Sequence, residues 1–198
     1  MTSKQRLIKR SFDIIVSLIV LILTWWLIAI AFIVAMIETR SNGFFIQTRI
    51  GKNAKPFSLI KIKTMRIMSN HTTTITTSKD PRITRYGAFF RRTKVDELPQ
   101  LINVLLGDMS LVGPRPDVSG YADKLNGEDA LILTLRPGIT GPATLKYKDE
   151  ETILAAQVDP KHYNDAIIWP DKVQLNRNYL KEWSFLGDLN YLWRTLIS

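Results

Sequence analysis

The chain has 198 residues, 45% of them hydrophobic, which suffices for one ordinary domain with a sizeable core and excludes wholesale disorder. It has no Cys and two His, His71 and His162, so a disulfide framework, a thiol nucleophile and a Cys or multi-His metal centre are excluded. Any catalytic metal must then be a hard ion such as magnesium, held by oxygen ligands. The formal charge of +9 comes from residues 1–100, where 17 Lys+Arg face 5 Asp+Glu, whereas residues 101–198 carry 10 against 13. The first half is built to meet something anionic: nucleic acid, a phosphorylated ligand or acidic lipid headgroups.

No charged residue occurs from Ile14 to Ile37, a run of 24 that as a helix extends about 36 Å, enough to cross a bilayer. A cleaved signal is disfavoured, because the run is too long for a signal core and no small-residue cleavage site follows it. Lys4, Arg6, Lys9 and Arg10 precede the run, and Arg40, Arg49, Lys52, Lys55, Lys61 and Lys63 follow it, so both flanks carry the basic mark of a cytoplasmic side. A simple span conflicts with one of these flanks. A hairpin that enters and leaves on one face satisfies both, but Thr24-Trp25-Trp26 at its centre offers no Pro or Gly to break the helix. Span and hairpin both stay open on the residues alone. Residues 1–40 are assigned to the anchor and 41–198 to a cytosolic domain.

Within that domain, Ser41-Asn42-Gly43 signals a turn, Phe44–Ile50 a strand, Gly51-Lys52-Asn53 another turn and Pro56–Met65 a second strand, together a small hairpin. The Thr-rich stretch Ser69–Ser78, with a solvated His71, reads as a surface loop ended by Asp80-Pro81. Apolar residues at 98, 101, 102, 105 and 106 predict a helix starting at Asp96 and stopped by Gly107. Tyr163–Leu180 reads as two short helices separated by Trp169-Pro170-Asp171, and His162 as structural or exposed. Tyr179–Ile197 reads as an amphipathic tail, interrupted near Gly187, whose apolar face suits a core and a membrane surface equally. The expected fold is α+β, mainly helical, with one hairpin and interfacial amphipathic helices.

Asp96 and Glu97 admit two readings. Asp is a favoured N-cap, Glu suits a first helical turn and Pro99 is tolerated there, so the pair can be read as capping alone. Yet Arg82, Arg85, Arg91, Arg92 and Lys94 precede it, and Gly113-Pro114-Arg115-Pro116 follows the helix. Cations beside a helix start make a place for phosphate and keep an Asp ionised as a nucleophile, and two adjacent carboxylates supply oxygens for magnesium.

At these residues the sequence resembles the bacterial sugar transferases, more narrowly the small monotopic phosphoglycosyl transferases. The resemblance runs through Lys9-Arg10-Ser11-Phe12-Asp13, Phe45-Ile46-Gln47-Thr48-Arg49-Ile50-Gly51 and Lys61-Ile62-Lys63-Thr64-Met65. It is densest in Val95-Asp96-Glu97-Leu98-Pro99-Gln100-Leu101 and continues from Asn103 to Pro116 and in Arg136-Pro137-Gly138-Ile139-Thr140-Gly141. The ordered set is specific where each piece is weak.

The resemblance implies a ping-pong transfer of a sugar-1-phosphate from a UDP-sugar to undecaprenyl phosphate with release of UMP, initiating glycoconjugate or exopolysaccharide assembly. Asp96 is implied as the nucleophile, Glu97 as its partner in metal binding or acceptor deprotonation, and Mg2+ as the cofactor held by both. Lys61, Lys63, Arg91 and Arg115 are candidates for phosphate contacts, and Arg136 for the nucleotide pocket. The implied setting is the cytoplasmic face of the bacterial inner membrane, with membrane lipid as a partner and nucleic acid not. The family commonly breaks its membrane helix at a Ser-Pro pair; by count from Phe12, Trp25 and Trp26 stand there. Two other classes remain: a membrane-anchored basic binding module, and an inactive scaffold of the same fold. The sugar and the oligomeric state are not encoded in these motifs.

Overall fold

The first structural element is long because nothing in it stops a helix. Between Ser3 and Thr39 there is neither Gly nor Pro, so no backbone hydrogen bond is lost, and the residues form one helix, α1 (Ser3–Thr39), in the computed structural model, which describes residues 1–67 and 80–197. Thr2 and Gln5 close its start with a reciprocal pair of bonds, 2.7 and 3.3 Å, and Arg40 ends it in the left-handed conformation, φ 50°. Trp25 and Trp26 continue the helix. The Thr-rich stretch and His71 lie outside the described residues.

One stripe of α1 is packed along its whole length. Asp13, Ser17, Ile28, Ala31 and Ala35 are buried on it, at helical spacing. Near its start, Phe12, Val16 and Val20 pack on a cluster of Leu101, Leu111, Val112, Leu135 and Tyr179. Toward its end, Ile28, Ala31 and Ala35 join Ile62, Phe90 and Val95. Polar anchors fix the register. Arg10 donates to the carbonyls of Val104 and Leu105 at 2.6 and 3.0 Å, and Asp13 accepts from the Ser110 hydroxyl at 2.8 Å and the Leu111 N–H at 3.1 Å. Lys9 meets Asp188 at 2.6 Å, and Asp188 also accepts from Tyr179 and Trp183.

The predicted hairpin forms from β1 (Phe44–Ile50) and β2 (Pro56–Ile62), antiparallel with Phe44 opposite Ile62 and Ile50 opposite Pro56. Next come α2 (Arg85–Thr93), a 3-10 turn at Val95–Glu97 and α3 (Gln100–Leu106). Buried Asn103 on α3 accepts from Ile60 N–H at 3.1 Å and donates to Ser58 O at 2.8 Å, so it bonds to β2 as a neighbouring strand would. Beyond the expected hairpin there is a second strand pair: β3 (Ser110–Val112) lies parallel to β4 (Gly138–Thr140), Ser110 opposite Gly138. A Cβ at Gly138 would come within 2.1 Å of Gly113 N, which is why glycines stand at this close approach.

The remainder is α4 (Pro142–Lys146), α5 (Glu150–Ala155), α6 (Pro160–Tyr163), α7 (Trp169–Lys181) and α8 (Phe185–Ile197). Trp169-Pro170-Asp171 does not form a break between helices. A π-helical turn over Asn164–Ile168 joins α6 to α7 directly and places Pro170 at the start of α7, where its missing N–H is tolerated. The break before the tail falls before Phe185, and Gly187 lies inside α8. Tyr191 and Leu192 of α8 pack inward while Leu186, Trp193, Leu196 and Ile197 are exposed, so the tail serves the core and still presents an apolar face.

Asp13→Ala would leave the Ser110 hydroxyl and Leu111 N–H buried without an acceptor. It is expected to lower stability by about 2–4 kcal/mol, read as a fall in thermal unfolding temperature in detergent, with Asp13→Glu recovering some of the loss.

Candidate active site

Three short elements bring the Asp-Glu pair to the centre of the domain. Lys94 ends α2 in the left-handed conformation, φ 58°, and turns the chain into Val95–Glu97. Val95 is buried against the inner stripe of α1, and Leu98 packs against both of the clusters along that stripe. Pro99, φ −62°, then leads into α3 with its absent N–H where none is needed. The helix predicted from Asp96 is thus split into a tight turn and α3, and Asp96 makes no capping bond: its Oδ1 is buried without a hydrogen-bond partner.

An orphaned carboxylate oxygen at 6% exposure is costly. Burial, with Glu97 beside it, pushes the Asp96 carboxyl up to about 6, while Lys61, Arg91 and Lys94 pull the other way. Glu97 behaves oppositely. Burial alone would raise it, but Lys61 and Arg115 outweigh burial and hold it well below the usual carboxylate range. Lys61 Nζ lies 2.9 Å and Arg115 Nη2 3.5 Å from the same Oε1 of Glu97. The two neighbours in sequence thus have different chemistry, one permanently ionised and the other titrating just below neutrality.

The structure sorts the predicted cations into two groups. Lys61 and Arg115 sit on the dyad, and Arg91 lies close enough to act on Asp96 while it donates to Thr64 and forms an ion pair with Glu151. Lys63 instead donates to Ser41 at 2.7 Å, beside the end of α1. Arg136 donates to Gly107 O at 2.7 Å, at the opposite end of α3 from the dyad, where with Arg10 it caps the helix carbonyls. Neither is brought to Asp96.

Three further residues join the site. Arg49 donates to Pro116 O and to Gln47, and lines with Lys61, Gln100 and Arg115 a polar cavity of about 20 Å3, room for about one water. Asp117, next after Gly-Pro-Arg-Pro, is pushed up to about 6 by burial, against the pull of Lys172, Arg49 and Arg115. The signal for Arg49 lay in the Gln47-Thr48-Arg49-Ile50-Gly51 motif and that for Gln100 in the motif from Val95 to Leu101, whereas Asp117 falls just beyond the quoted motifs.

A divalent cation needs oxygen donors, and among the described residues no three His, Cys, Asp or Glu side chains cluster. The unpartnered Oδ1 of Asp96 beside the Glu97 carboxylate still fits magnesium, which commonly takes one or two protein carboxylates and completes its shell with water and substrate phosphate.

With this geometry in hand, comparison with known proteins is decisive for the family. The bacterial sugar transferase family matches residues 4–198, and the chain belongs to it. It is 44% identical over 128 residues, 64% of this chain and 72% of the relative, to a Bacillus subtilis protein provisionally named an undecaprenyl-phosphate N-acetylgalactosaminyl 1-phosphate transferase. It is 33% identical over 97% of its length to the UDP-glucose:undecaprenyl-phosphate glucose-1-phosphate transferase of Escherichia coli, of which it spans only 40%. An exopolysaccharide production protein of Rhizobium leguminosarum is 34% identical, with 96% of this chain and 94% of that protein covered.

The raised Asp96 value carries a stability consequence. Because the folded value of about 6 exceeds the ordinary 3.8, stability present at low pH is lost as pH rises through 6. Asp96→Asn is therefore expected to be more stable than the native chain by up to about 3 kcal/mol at pH 8, the gain shrinking toward pH 4. Thermal unfolding of both proteins across that range measures it.

Proposed function

We propose that the chain transfers a sugar-1-phosphate from a UDP-sugar to a polyprenol phosphate such as undecaprenyl phosphate, with Asp96 as the nucleophile. The observation that carries this reading is the buried, unpartnered Asp96 oxygen among Lys61, Arg91 and Lys94. A carboxylate with an oxygen free of hydrogen bonds, yet ionised at neutral pH, is a competent nucleophile toward phosphorus. A capping or merely structural Asp would have its oxygens bonded.

In the first step an Asp96 oxygen forms a bond to the β-phosphorus, the bond from that phosphorus to the bridging oxygen breaks, and UMP leaves with the electron pair. In the second, an oxygen of the acceptor phosphate bonds to the same phosphorus and Asp96 is released as carboxylate. Phosphoryl transfer depends chiefly on positioning and on neutralising charge, which suits Arg91, Arg115 and Lys61 around the dyad. Asp96 and Glu97 would hold Mg2+, which when bound supplies charge neutralisation for the diphosphate. Glu97 is too acidic to serve well as a base, which favours the metal-holding role over deprotonation of the acceptor. The reaction then takes place on the cytoplasmic face of the inner membrane, with residues 1–40 as anchor and 41–198 as the catalytic domain.

UMP release by detergent-purified protein over a panel of UDP-sugars, with and without undecaprenyl phosphate and magnesium, tests this reading. A phosphosugar adduct on the native chain, seen by mass spectrometry without acceptor, and a loss of at least about 1,000-fold in Asp96→Asn are expected. The rate of adduct formation should rise with pH through about 6 as Asp96 ionises. Release undiminished in Asp96→Asn would return the residue to a structural role.

A further inference from the structure

Lys61 and Arg115 are neutralised inside the site, by Glu97. Arg91 is neutralised from outside it. Its guanidinium, in the last turn of α2, acts on Asp96 and pairs with Glu151, 60 residues along the chain at the start of α5. Its other contacts are long, 3.4 Å to the Thr64 hydroxyl and 4.0 Å to the Met65 sulfur, so Glu151 is the strong partner. A cation beside the nucleophile thus carries a carboxylate that has no part in the dyad.

The element that delivers Glu151 is lightly held. α5 has six residues, too few to persist as a helix in isolation, and Leu154 is the one it buries. Asp149 before it makes no capping bond, and Asp149, Glu150 and Glu151 crowd three acids into consecutive positions. Two ion pairs fasten this acidic start, and they differ. Glu150 takes Lys172 through both of its oxygens at 2.7 Å, with the Lys172 side chain 12% exposed and its ammonium 5.6 Å from the centre of the Tyr147 ring. Glu151, 41% exposed, meets Arg91 at a wetter edge. An ion pair open to that much water contributes little to stability, whereas a phosphate offers an arginine more charge and two oxygens for its fork. The order of strength favours exchange at Arg91 and retention at Lys172.

We propose that Glu151 holds on Arg91 the place of a substrate phosphate, and that the diphosphate of the donor displaces it. The start of α5 then loses its tie to Arg91 and keeps the one between Glu150 and Lys172. Glu151 is an internal competitor in this exchange. It weakens the hold on the donor and, by returning to Arg91, the hold on the UMP that must leave before the acceptor phosphate reacts. This role rests on the UDP-sugar reading above.

Glu151→Gln keeps the shape of the side chain and removes its charge. Calorimetric titration of the detergent-purified full chain with UDP and magnesium is expected to give a Kd at least about 3-fold lower in Glu151→Gln than in the native protein, the scale of one exposed ion pair. In an Arg91→Gln background the same substitution should bring no gain, because the partner is gone. The chain has no Cys, so a spin label at exposed Thr152→Cys reports on α5 alone. Its spectrum should sharpen when UDP saturates the otherwise native chain, and be equally sharp without UDP when Glu151→Gln is added. A smaller gain, weaker binding, a gain that persists without Arg91, or a label unmoved by UDP would each overturn the exchange. UMP release from UDP-sugars by the same variants reports separately on the chemistry: tighter UDP binding in Glu151→Gln with no release from any donor would leave the exchange standing and sink the transfer. Failure of the folded native and Glu151→Gln proteins to bind UDP at all would overturn both.

Discussion

Glu97 held between Lys61 and Arg115 is the contact on which the centre of this protein depends. Lys61 comes from the hairpin, Glu97 from the turn after α2, and Arg115 from the loop after β3, so one carboxylate oxygen joins three regions of the chain. The cluster is largely buried, and removal of any partner would leave an uncompensated charge in a poor dielectric. Its effect on Asp96 is the functional point. By keeping Glu97 ionised it places a fixed negative charge beside a second carboxyl that burial already raises, and so separates the two acidities.

The remainder of the domain positions that cluster. Asn103 ties α3 to β2, β3 and β4 approach closely at glycines beside the Gly-Pro-Arg-Pro loop, and Arg10 with Arg136 closes the far end of α3. Arg136 therefore acts on the site through the helix it caps. The ion pairs of Arg91 with Glu151 and Lys172 with Glu150 fasten α5 over the same region.

The hairpin strands, the helix before Gly107 and the apolar segment were legible because each is a local pattern of period or punctuation. The dyad and most of its cations were legible as an ordered set of motifs. What misled was also local. The spacing after Asp96 reads as one helix, yet Lys94 and Pro99 divide it into a turn and a helix. Trp169-Pro170-Asp171 reads as a break, yet a π-helical turn absorbs the proline. The strands β3 and β4 are too short for periodicity, and they pair across a long stretch of intervening chain.

By itself the sequence determined composition, charge asymmetry, the unbroken helical potential of residues 3–39 and the motifs that mark the family, since these depend on residue type and spacing alone. Tertiary structure decided which cations reach the dyad, that Asp96 lacks a hydrogen-bond partner, and that one side of the apolar helix belongs to the protein. Those features are set by burial and by contacts between residues distant in sequence, such as Asp13 with Ser110 and Lys61 with Glu97. No local pattern encodes them, because desolvation is a property of the assembled surroundings rather than of the residue.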